Sequence, residues 1–523
     1  MIILRAATLA ALFLVSMVQM LLAQDVTLTS RDGTVEISGD LLGFDGEFYR
    51  VQTIYGELTV DGSGVLCEGP ACPNLEDYVA EIALSGSDTM GRVLIPALVQ
   101  AFADRNGYRV TRQRTDQRHL IMTLAEAQGG RIAGILTLRL TNTDEGFADL
   151  LANEADIVMA LREVRPAEVQ RIEEAGMGDL TGPRRGRVLA LDGLVPVVAR
   201  DNPLLKISTP DLARVVAGDV SNWAQLGGPD APITLHLRGE TSGLWQVVED
   251  RLLRPAGKSV AEGAKRYDSD LALVDAVARD PFGLGLTSVS AAADIKQVPL
   301  SGACGFTLGA DRLSLKTEDY PLSAPMFLYL PARRLPKLGR DFISFTRSEA
   351  AQLVIRRAGL TDQTPEEIAI NAQGNRFANA IAQAAVDDGD VVDLGELQAM
   401  VTALSDKRRL SLSFRFETGS SRLDAQSRSN VELLAQGLEA GFYDTRDMLF
   451  AGFSDGEGGA AANQRIALKR AETVLAAVRE AAETASFDQV SLSADGFGEA
   501  MPMACDDSAW GRQVNRRVEV WLR

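Results

Sequence analysis

Short runs of alternating polar and apolar residues fill the part of the chain that follows residue 23. The runs VTLTS, TVEIS, EFYRVQTI and GELTV are separated by the turn sequences RDG, GFDGE and DGSG. Alternation with a period of two is typical of strands that bury one face. The pattern predicts a small β-hairpin module over residues 24–75.

From residue 76 the pattern changes to apolar β runs that are each followed by a segment of helical periodicity. EIALSGS precedes LIPALVQAFADRNG, and VLALDGLVPVVA precedes TPDLARVVAG. Strands that alternate with helices predict an α/β domain, which we place at residues 76–362. An Ala-rich stretch of helical spacing at residues 363–408 then predicts either a helical connector or a peripheral part of a neighbouring domain.

The last segment, residues 409–523, returns to alternating strands and helices. The strand LSLSFRF is followed by a helical stretch, the strand MLFAGFSD, a second helix, and the strands VSLSADGFG and NRRVEVWL. The order is β-α-β-α-β with an extra terminal strand. The fold class is therefore multidomain, α/β and α+β.

The N-terminal residues MIILRAATLAALFLVSMVQMLLAQ place one cation, Arg5, before a long apolar run that ends in the small residue Ala23. This order is typical of an export signal, so we expect a signal peptide over residues 1–23. An uncleaved membrane anchor is the alternative, because the apolar run is long and Leu21 is large for its position before the cleavage point. Both interpretations export the rest of the chain.

Acidic residues outnumber basic ones, 71 to 53, and the formal net charge is -18. Phosphate backbones and anionic lipids favour Lys and Arg, so we expect no nucleic acid partner. The 523 residues include only two histidines, His119 and His236, and no nucleophile elbow, Walker loop, His-rich metal motif or dinucleotide fingerprint. We therefore expect a protein that is not an enzyme and that has no cofactor or metal.

Two of the four cysteines lie close together in LCEGPACP. Because an exported chain meets an oxidising space, we expect a disulfide between Cys67 and Cys72. A metal site is the weaker alternative, since the spacing is not that of a two-residue knuckle and no histidine lies nearby. Cys304 and Cys505 are far apart in sequence, and either pair across domains or stay as buried thiols.

Three phrases mark the C-terminal segment: FETGSSRLDAQS at 416–427, GFSDGEGGAAANQRIALKRAETV at 452–474, and GFGEAMP with NRRVEVWL at 496–522. Together they resemble the peptidoglycan-binding domain shared by OmpA, peptidoglycan-associated lipoprotein and flagellar motor stators. That resemblance implies a site for diaminopimelate, the stem-peptide residue that presents an ammonium and a carboxylate side by side. A zwitterion of this kind needs one anion and one cation from the protein.

The residues that the resemblance assigns to this site are Asp455, Asn463, Arg470, Arg516 and Arg517. Asp455 would take the ammonium and Arg470 the carboxylate. Asn463 would shape the loop, and either Arg516 or Arg517 would complete the site. Relatives often have two cysteines near the last segment where this chain has Cys505 alone, which leaves the brace of that loop open.

Five phrases of the α/β domain resemble phosphate-binding periplasmic receptors of the type II class, in which two α/β lobes close on an anion. They are SGSDTMGRVLIPALVQAFADRNGYRV at 85–110, ADIVMALREVRP at 155–166, DLARVVAGDVSNWAQLGG at 211–228, LRGETSGLWQ at 237–246 and KTEDYPLSAPMFLYLP at 316–331. The candidate anion-binding residues are Thr89, Thr143, Arg162, Arg238, Ser242 and Gly243. Arg238 offers a forked donor, while Ser242 and the Gly243 N–H add neutral donors at a helix start.

The chain departs from that family at several of these positions. Leu244 replaces a threonine, and Leu161 stands near an aspartate that accepts the proton of hydrogen phosphate. Thr143 is followed by Asp144 and Glu145, which would repel a bound dianion if they faced the cleft. These departures leave the preference for phosphate over other oxyanions open.

We therefore expect a periplasmic solute-binding protein for phosphate or another small oxyanion. Its OmpA-like domain would anchor it non-covalently to peptidoglycan, at the cell wall or outer membrane of a Gram-negative-type bacterium. A transport permease or an envelope protein is a further candidate partner. The alternative is a non-transport envelope adaptor whose receptor-like domain binds a protein partner.

Overall fold

The computed structural model describes residues 25–523, except residues 76–77, 303, 305, 385–393 and 418. The expected signal peptide at residues 1–23 lies outside the described residues, as does the middle of the expected connector. Across the described ranges, none of the helices combines the length and the apolar character that a membrane crossing requires.

The first unit is a five-stranded antiparallel sheet, as the hairpin pattern predicts. Its strands are β1 (Val26–Ser30), β2 (Glu36–Phe44), β3 (Phe48–Thr53), β4 (Gly56–Asp61) and β5 (Val65–Glu68). They lie in the order β4-β3-β2-β1-β5. One face buries Val26, Leu28, Tyr49 and Val51. The predicted disulfide between Cys67 and Cys72 is confirmed, with the two Cα atoms 5.8 Å apart.

The central domain is built on a long mixed sheet. Its strands are β6 (Ala80–Ser87), β7 (Tyr108–Arg114), β8 (His119–Glu126), β9 (Ile132–Thr141), β10 (Ile157–Ala160), β11 (Gly186–Val198), β12 (Ile207–Ser208), β13 (Thr234–Arg238), β14 (Lys265–Tyr267), β15 (Gly283–Ser288), β16 (Lys296–Gln297), β17 (Leu300–Ser301), β18 (Thr307–Leu308) and β19 (Ser323–Tyr329). The main path runs β14-β13-β15-β11-β19-β10-β6-β9-β8-β7. Strand β16 pairs with β11, while β12, β17 and β18 form a separate small sheet.

Nine α-helices accompany these strands within the part of the domain that the structure describes. They are α1 (Ile95–Asn106), α2 (Thr143–Leu151), α3 (Pro166–Glu174), α4 (Thr209–Val216), α5 (Gly243–Val248), α6 (Asp270–Ala278), α7 (Arg312–Lys316), α8 (Lys337–Phe345) and α9 (Glu349–Arg357). Side-chain caps fix several of their starts: Asn142 accepts from the Glu145 N–H at α2, and Ser208 accepts from the Asp211 N–H at α4. The strand-helix alternation predicted from the sequence is confirmed.

Two lobes meet along β11 and β19. The first half of β11 pairs with β19, and its second half, from Leu194 onward, pairs with β15. One lobe therefore contains β6 to β10, and the other contains β13 to β15. This two-lobed arrangement confirms the predicted binding-protein fold and leaves a cleft between the two halves of the sheet.

The C-terminal domain has the predicted β-α-β-α-β order. Its strands are β20 (Glu367–Ile368), β21 (Arg408–Phe414), β22 (Asp447–Phe453), β23 (Ser491–Gly496) and β24 (Arg517–Leu522), in the order β20-β21-β24-β22-β23. The helices are α10 (Gly374–Ala384), α11 (Leu394–Leu404), α12 (Ala425–Glu439), α13 (Ala460–Ala481) and α14 (Ala509–Asn515). Helix α13 buries a stripe at helical spacing that contains Asn463, Ala467, Ala471, Val474 and Val478.

Helices cover both faces of this sheet. Helices α12 and α13 pack on one face, and residues Ala380 of α10 and Met400 of α11 join the core of the other face beside Trp521. The described ends of the expected connector thus pack on the C-terminal sheet. That packing favours the interpretation of residues 363–408 as a peripheral part of a neighbouring domain, and the boundaries themselves stay predictions.

Buried ion pairs join the central and C-terminal domains. Arg409 contacts Asp319 at 2.7 Å, and Arg415 contacts Glu318 at 3.0 Å. The Asn430 side chain also donates to Glu318, at 3.1 Å. Because all of these groups are buried, each depends on its partner across the interface, and the two domains are fixed against each other.

A disulfide between Cys304 and Cys505 forms a second link, so these two cysteines pair across domains. In the same region, Trp510 Nε1 donates to the Arg251 carbonyl at 2.6 Å. The C-terminal domain therefore contacts the second lobe through Cys304 and Arg251, and contacts the β19 side of the sheet through the two buried ion pairs.

Candidate functional sites

The cleft between the lobes contains two adjoining cavities of about 560 and 250 Å³. Both are lined by Asp88, Arg92, Gln117, Arg238 and Asp268. Asp88 follows β6 in the first lobe and Arg238 ends β13 in the second, so each lobe contributes a charged group.

A close approach of two strands sets the position of Asp88. Gly86 has a φ of +126°, and a Cβ at this residue would lie 2.1 Å from the Met159 carbonyl oxygen. Only glycine allows β6 and β10 to come this close. The chain then turns, which places Asp88 and Thr89 at the end of the strand and against the cleft.

Arg238 is the central cation of the cleft, and it is almost fully occupied. Its guanidinium donates to Asp270 at 2.7 Å, to Asp88 at 3.3 Å, and to the carbonyls of Tyr267 and Asp268 at 3.2 and 3.0 Å. An arginine has five N–H groups, so little donor capacity remains for a ligand. An oxyanion that binds here must compete with two carboxylates.

Two acceptors beside Arg238 lack partners. Asp88 Oδ1 and Thr89 Oγ1 are buried, and neither forms a hydrogen bond with any residue that the structure describes. Unpaired buried acceptors are costly, so these atoms favour a ligand group that donates hydrogen bonds. The cleft can therefore offer a forked cation and two acceptors to the same ligand.

The structure places Ser242 and Gly243 at the start of α5, as the sequence predicts. Ser242 Oγ donates to the Gly239 carbonyl at 2.7 Å and caps the helix by accepting from the Trp245 N–H. A Cβ on Gly243 would lie 3.1 Å from Leu161 Cδ1. Leu161 thus packs on this turn, where the family has an aspartate nearby.

Two other candidates, Thr143 and Arg162, form their contacts within the protein. The Thr143 N–H donates to Gln246 Oε1 at 2.9 Å, and its hydroxyl accepts from the Leu161 N–H at 3.1 Å. Arg162 is buried among Asp144, Glu168 and Asp250. Arg162 lines neither cleft cavity, so its role in anion binding stays a prediction that this geometry does not support.

The carboxylates around Arg162 shift its titration. Burial acts to lower the pKa of Arg162, but hydrogen bonding and charge from Glu168 and Asp144 more than offset burial and raise it. Asp144, one of the two acids expected to repel a dianion, therefore pairs with Arg162.

Three cleft residues, Asp88, Asp268 and Asp270, were not predicted from the sequence. Asp88 directly precedes Thr89, and the other two lie in the acidic run YDSD.

In the C-terminal domain, Asp455 and Arg516 come together as predicted. Asp455 follows β22, Arg516 follows α14, and Arg516 Nη1 donates to Asp455 Oδ2 at 2.5 Å. The Gly456 N–H donates to Asp506 at 2.7 Å, which holds the loop after Asp455. Asp506 also accepts from the side chain of Asn515, the neighbour of Arg516, at 2.8 Å.

Arg470 lies on α13 beside this pair. Its guanidinium lies 5.6 Å from the centroid of the Phe416 ring, and it has no ion pair or hydrogen bond with any described residue. Burial lowers the pKa of Arg470, and the positive charge of Arg516 lowers it further. This guanidinium thus keeps its donors for a ligand.

A cavity of about 410 Å³ opens next to these arginines. It is lined by Phe416, Glu417, Gly419, Ser420, Arg470, Gln513 and Arg516. Phe416, Ser420 and Gln513 were not predicted as site residues, although the first two lie in the phrase at 416–427. The cavity offers two cations, with the Asp455 carboxylate beside them.

The other two candidates have structural positions. Asn463 is buried, and its amide donates to Glu499 at 3.5 Å. Arg517 is fully buried on β24, where it donates to Glu519 at 2.6 Å and to the Met501 carbonyl at 2.9 Å. Of the two alternatives in the sequence, Arg516 lies at the site, and Arg517 lies in the core.

Two family models match the chain. Residues 72–350 match the PBP superfamily domain, and residues 415–516 match the OmpA family. The first match covers 279 of 523 residues, which is more than half of the chain.

Several curated proteins are similar to parts of the chain. Protein SphX of Synechococcus elongatus is 26% identical over 230 residues, which is 42% of this chain and 66% of SphX. Phosphate-binding protein PstS of Staphylococcus haemolyticus is 24% identical over 213 residues, 39% of this chain and 65% of that protein. The chain therefore spans just under two thirds of the length of these two relatives. Outer-membrane lipoprotein YfiB of Pseudomonas aeruginosa is 31% identical over 111 residues, 21% of this chain and 62% of YfiB.

Similar solved structures include an ABC-type phosphate transport receptor from Vibrio cholerae. It is 20% identical, with a TM-score of 0.41, and the match covers 53% of this chain and 98% of the receptor. A possible phosphate-binding protein from Planctomyces limnophilus is 21% identical with the same TM-score, and the match covers 58% and 98% of the two chains.

Proposed function

Because the chain belongs to the PBP superfamily and also matches the OmpA family, we propose that it is a solute-binding protein of the bacterial periplasm that is held on peptidoglycan. The central domain binds the solute, and the C-terminal domain anchors the protein to the wall of a Gram-negative-type bacterium. The relative from Staphylococcus haemolyticus is named a phosphate-binding protein, in agreement with a chain that is not an enzyme.

The observation that carries the anchoring proposal is the unpaired guanidinium of Arg470 beside the Asp455–Arg516 ion pair. A diaminopimelate stem presents an ammonium and a carboxylate together. The ammonium would donate to the Asp455 carboxylate, and the carboxylate of the ligand would lie between Arg470 and Arg516. Both contacts are charge-assisted, and in the second the donors of Arg470 are occupied by no described residue.

A soluble stem peptide that contains diaminopimelate tests this proposal by isothermal titration. We expect binding to the full chain, and a loss of at least about tenfold in Arg470→Ala, because one charge-assisted contact is removed. Arg479→Ala, on the exposed side of the same helix, is the matched control. Equal affinity of both variants for the peptide would contradict the assignment.

For the cleft, we propose a small solute that carries an oxyanion group and at least one hydrogen-bond donor. Arg238 would bind the oxyanion, and the donor would reach Asp88 Oδ1 or Thr89 Oγ1, which lack partners among the described residues. A monoprotonated oxyanion such as hydrogen phosphate meets both requirements. Thr143, Arg162, Ser242 and Gly243 would act by shaping the turns around the cleft.

Titration of the full chain with phosphate, sulfate and small carboxylates tests this proposal. We expect at least one of them to bind, and Arg238→Gln to weaken that binding about tenfold or more. Arg279→Gln, on an exposed helix end of the second lobe, should behave as the unmodified chain does.

The pairing of Arg238 with Asp88 and Asp270 favours a second candidate function. If none of these solutes binds, the cleft is closed by its own carboxylates. The chain is then better described as an envelope adaptor whose receptor-like domain contacts a protein, such as a transport permease or another envelope protein.

A further inference from the structure

A large cavity lies between the central domain and the C-terminal domain. Its volume is about 1060 Å³, greater than that of either cleft cavity. Its walls are the start of β11, the segment from β19 into α8, and the facing sides of α12 and α13. Cavities at domain interfaces are common places for ligands.

The charge of this cavity is opposite to that of the whole chain. Its lining includes eight arginines and four glutamates, with no aspartate or lysine, whereas the chain has a net charge of -18. Several of the arginines are neutralised by acids elsewhere. Arg334 and Arg340 pair with Asp45 of the N-terminal sheet, and Arg428 pairs with Glu417.

Arg333 pairs with Asp156, and Arg185 donates to the Pro331 carbonyl. The other three arginines, Arg184, Arg187 and Arg347, lie around a single acid, Glu432. Arg347 pairs with Glu432, and the Arg184 backbone N–H donates to the same carboxylate at 2.8 Å. Arg187 is left without an ion pair or hydrogen bond to any described residue, and its Nε is buried. With three cations and one anion, this part of the cavity has an excess of two positive charges.

The titration of Arg187 agrees with this excess. Burial first, and then the positive charges of Arg347 and Arg184, lower the pKa of Arg187 to about 10, while Glu432 opposes them only in part. An uncompensated, half-buried cation is unfavourable for folding, so the presence of Arg187 next to an open cavity points to a binding role.

We propose that this interdomain cavity binds a ligand with at least two anionic groups, either carboxylates or phosphates. The ligand would place one group against Arg187 and another against Arg184 and Arg347. This second site is separate from the cleft of the central domain, and its existence does not depend on the solute that the cleft takes.

The ligand could come from solution or from the cell wall. The Arg428–Glu417 ion pair connects this cavity with the one beside Arg470, since Arg428 lines the first and Glu417 the second. A peptidoglycan fragment with several carboxylates is therefore one source of the required chemistry, and a small soluble polyanion is the other.

Isothermal titration of the full chain with citrate, with inorganic pyrophosphate and with a soluble disaccharide-peptide from peptidoglycan tests the proposal. We expect at least one of these probes to bind, and Arg187→Gln to weaken that binding about tenfold or more. A soluble ligand of this cavity is identified if citrate or pyrophosphate binds and Arg187→Gln weakens that binding. A ligand from the cell wall is identified if only the disaccharide-peptide binds and Arg187→Gln weakens the binding of that probe.

Thermal unfolding distinguishes a binding role of Arg187 from a structural one. Without a probe, Arg187→Gln should unfold at the same temperature as the unmodified chain or at a higher one, because a half-buried cation with no ion pair among the described residues is removed. Arg279→Gln is the control that should change neither measurement. The proposal is overturned if no probe binds, if Arg187→Gln leaves all binding unchanged, or if that variant unfolds at a clearly lower temperature.

Discussion

Cys304 and Cys505, separated by 201 residues, form a disulfide that connects the second lobe to the loop next to the peptidoglycan site. Asp506, the next residue, accepts from the Gly456 N–H, which follows Asp455. The link therefore joins the receptor domain to the loop that positions a proposed ligand-binding carboxylate. A C-terminal domain held in this way is a fixed part of the protein.

The long loop that this disulfide closes predicts a large effect on stability. Replacing both cysteines by serine should lower the free energy of unfolding by about 3 kcal/mol, because the unfolded chain gains freedom. The Cys67–Cys72 disulfide closes a separation of only five residues. Its removal in the Cys67→Ser, Cys72→Ser double variant should therefore lower the free energy of unfolding by less. Denaturant unfolding of both variants measures the difference, and a larger loss for the Cys67–Cys72 pair would contradict the prediction.

Glu318 at the domain interface predicts a dependence of stability on pH. Burial raises the pKa of this carboxyl from 4.5 to about 8, although Arg415 opposes the rise. Below that pH, Arg415 therefore donates to a neutral carboxyl, and the contact becomes an ion pair only above it. Between pH 4.5 and about 8, the folded state holds a proton on Glu318 that the unfolded state releases. The contribution of this carboxyl to stability is therefore complete below pH 4.5 and is lost as the pH rises through about 8.

The variant Glu318→Gln removes this titration. Its free energy of unfolding should fall less between pH 5 and pH 8 than that of the unmodified chain, by about 3 kcal/mol. Glu173→Gln, at an exposed position, is the control. Its free energy of unfolding should depend on pH as that of the unmodified chain does. Identical pH profiles of the unmodified chain and Glu318→Gln would show that Glu318 titrates normally.

Asp88 competes with any oxyanion for Arg238. In Asp88→Asn one carboxylate is removed from the guanidinium, so sulfate, which is fully ionised, should bind about tenfold more tightly than to the unmodified chain. Titration with sulfate measures this change, with Asp275→Asn on the exposed side of α6 as the control. Unchanged or weaker sulfate binding would mean that Asp88 does not restrict the cleft.

Local patterns were sufficient to predict much of the fold. Hairpin alternation, strand-helix alternation and the stripe on α13 are properties of neighbouring residues, and each corresponds to an element of the structure. Asp455 and Arg470 could be predicted as site residues for a related reason, since both belong to the continuous phrase at 452–474.

Long-range relationships could not be predicted in the same way. Asp88 and Arg238 are 150 residues apart, and only the folded sheet brings them together. The choice between Arg516 and Arg517 depended on where β24 begins, because Arg516 is the C-cap of helix α14 and Arg517 is the first residue of the strand. Thr143 was a reasonable candidate by position, but Gln246 from α5 takes its N–H.

Retention on purified peptidoglycan tests the central claim most directly. The full chain should sediment with the insoluble wall material, and both Asp455→Ala and Arg470→Ala should reduce the bound fraction sharply, by about tenfold in affinity. Arg479→Ala should be retained as the unmodified chain is. Full retention of both site variants, or no retention of the unmodified chain, would contradict the account.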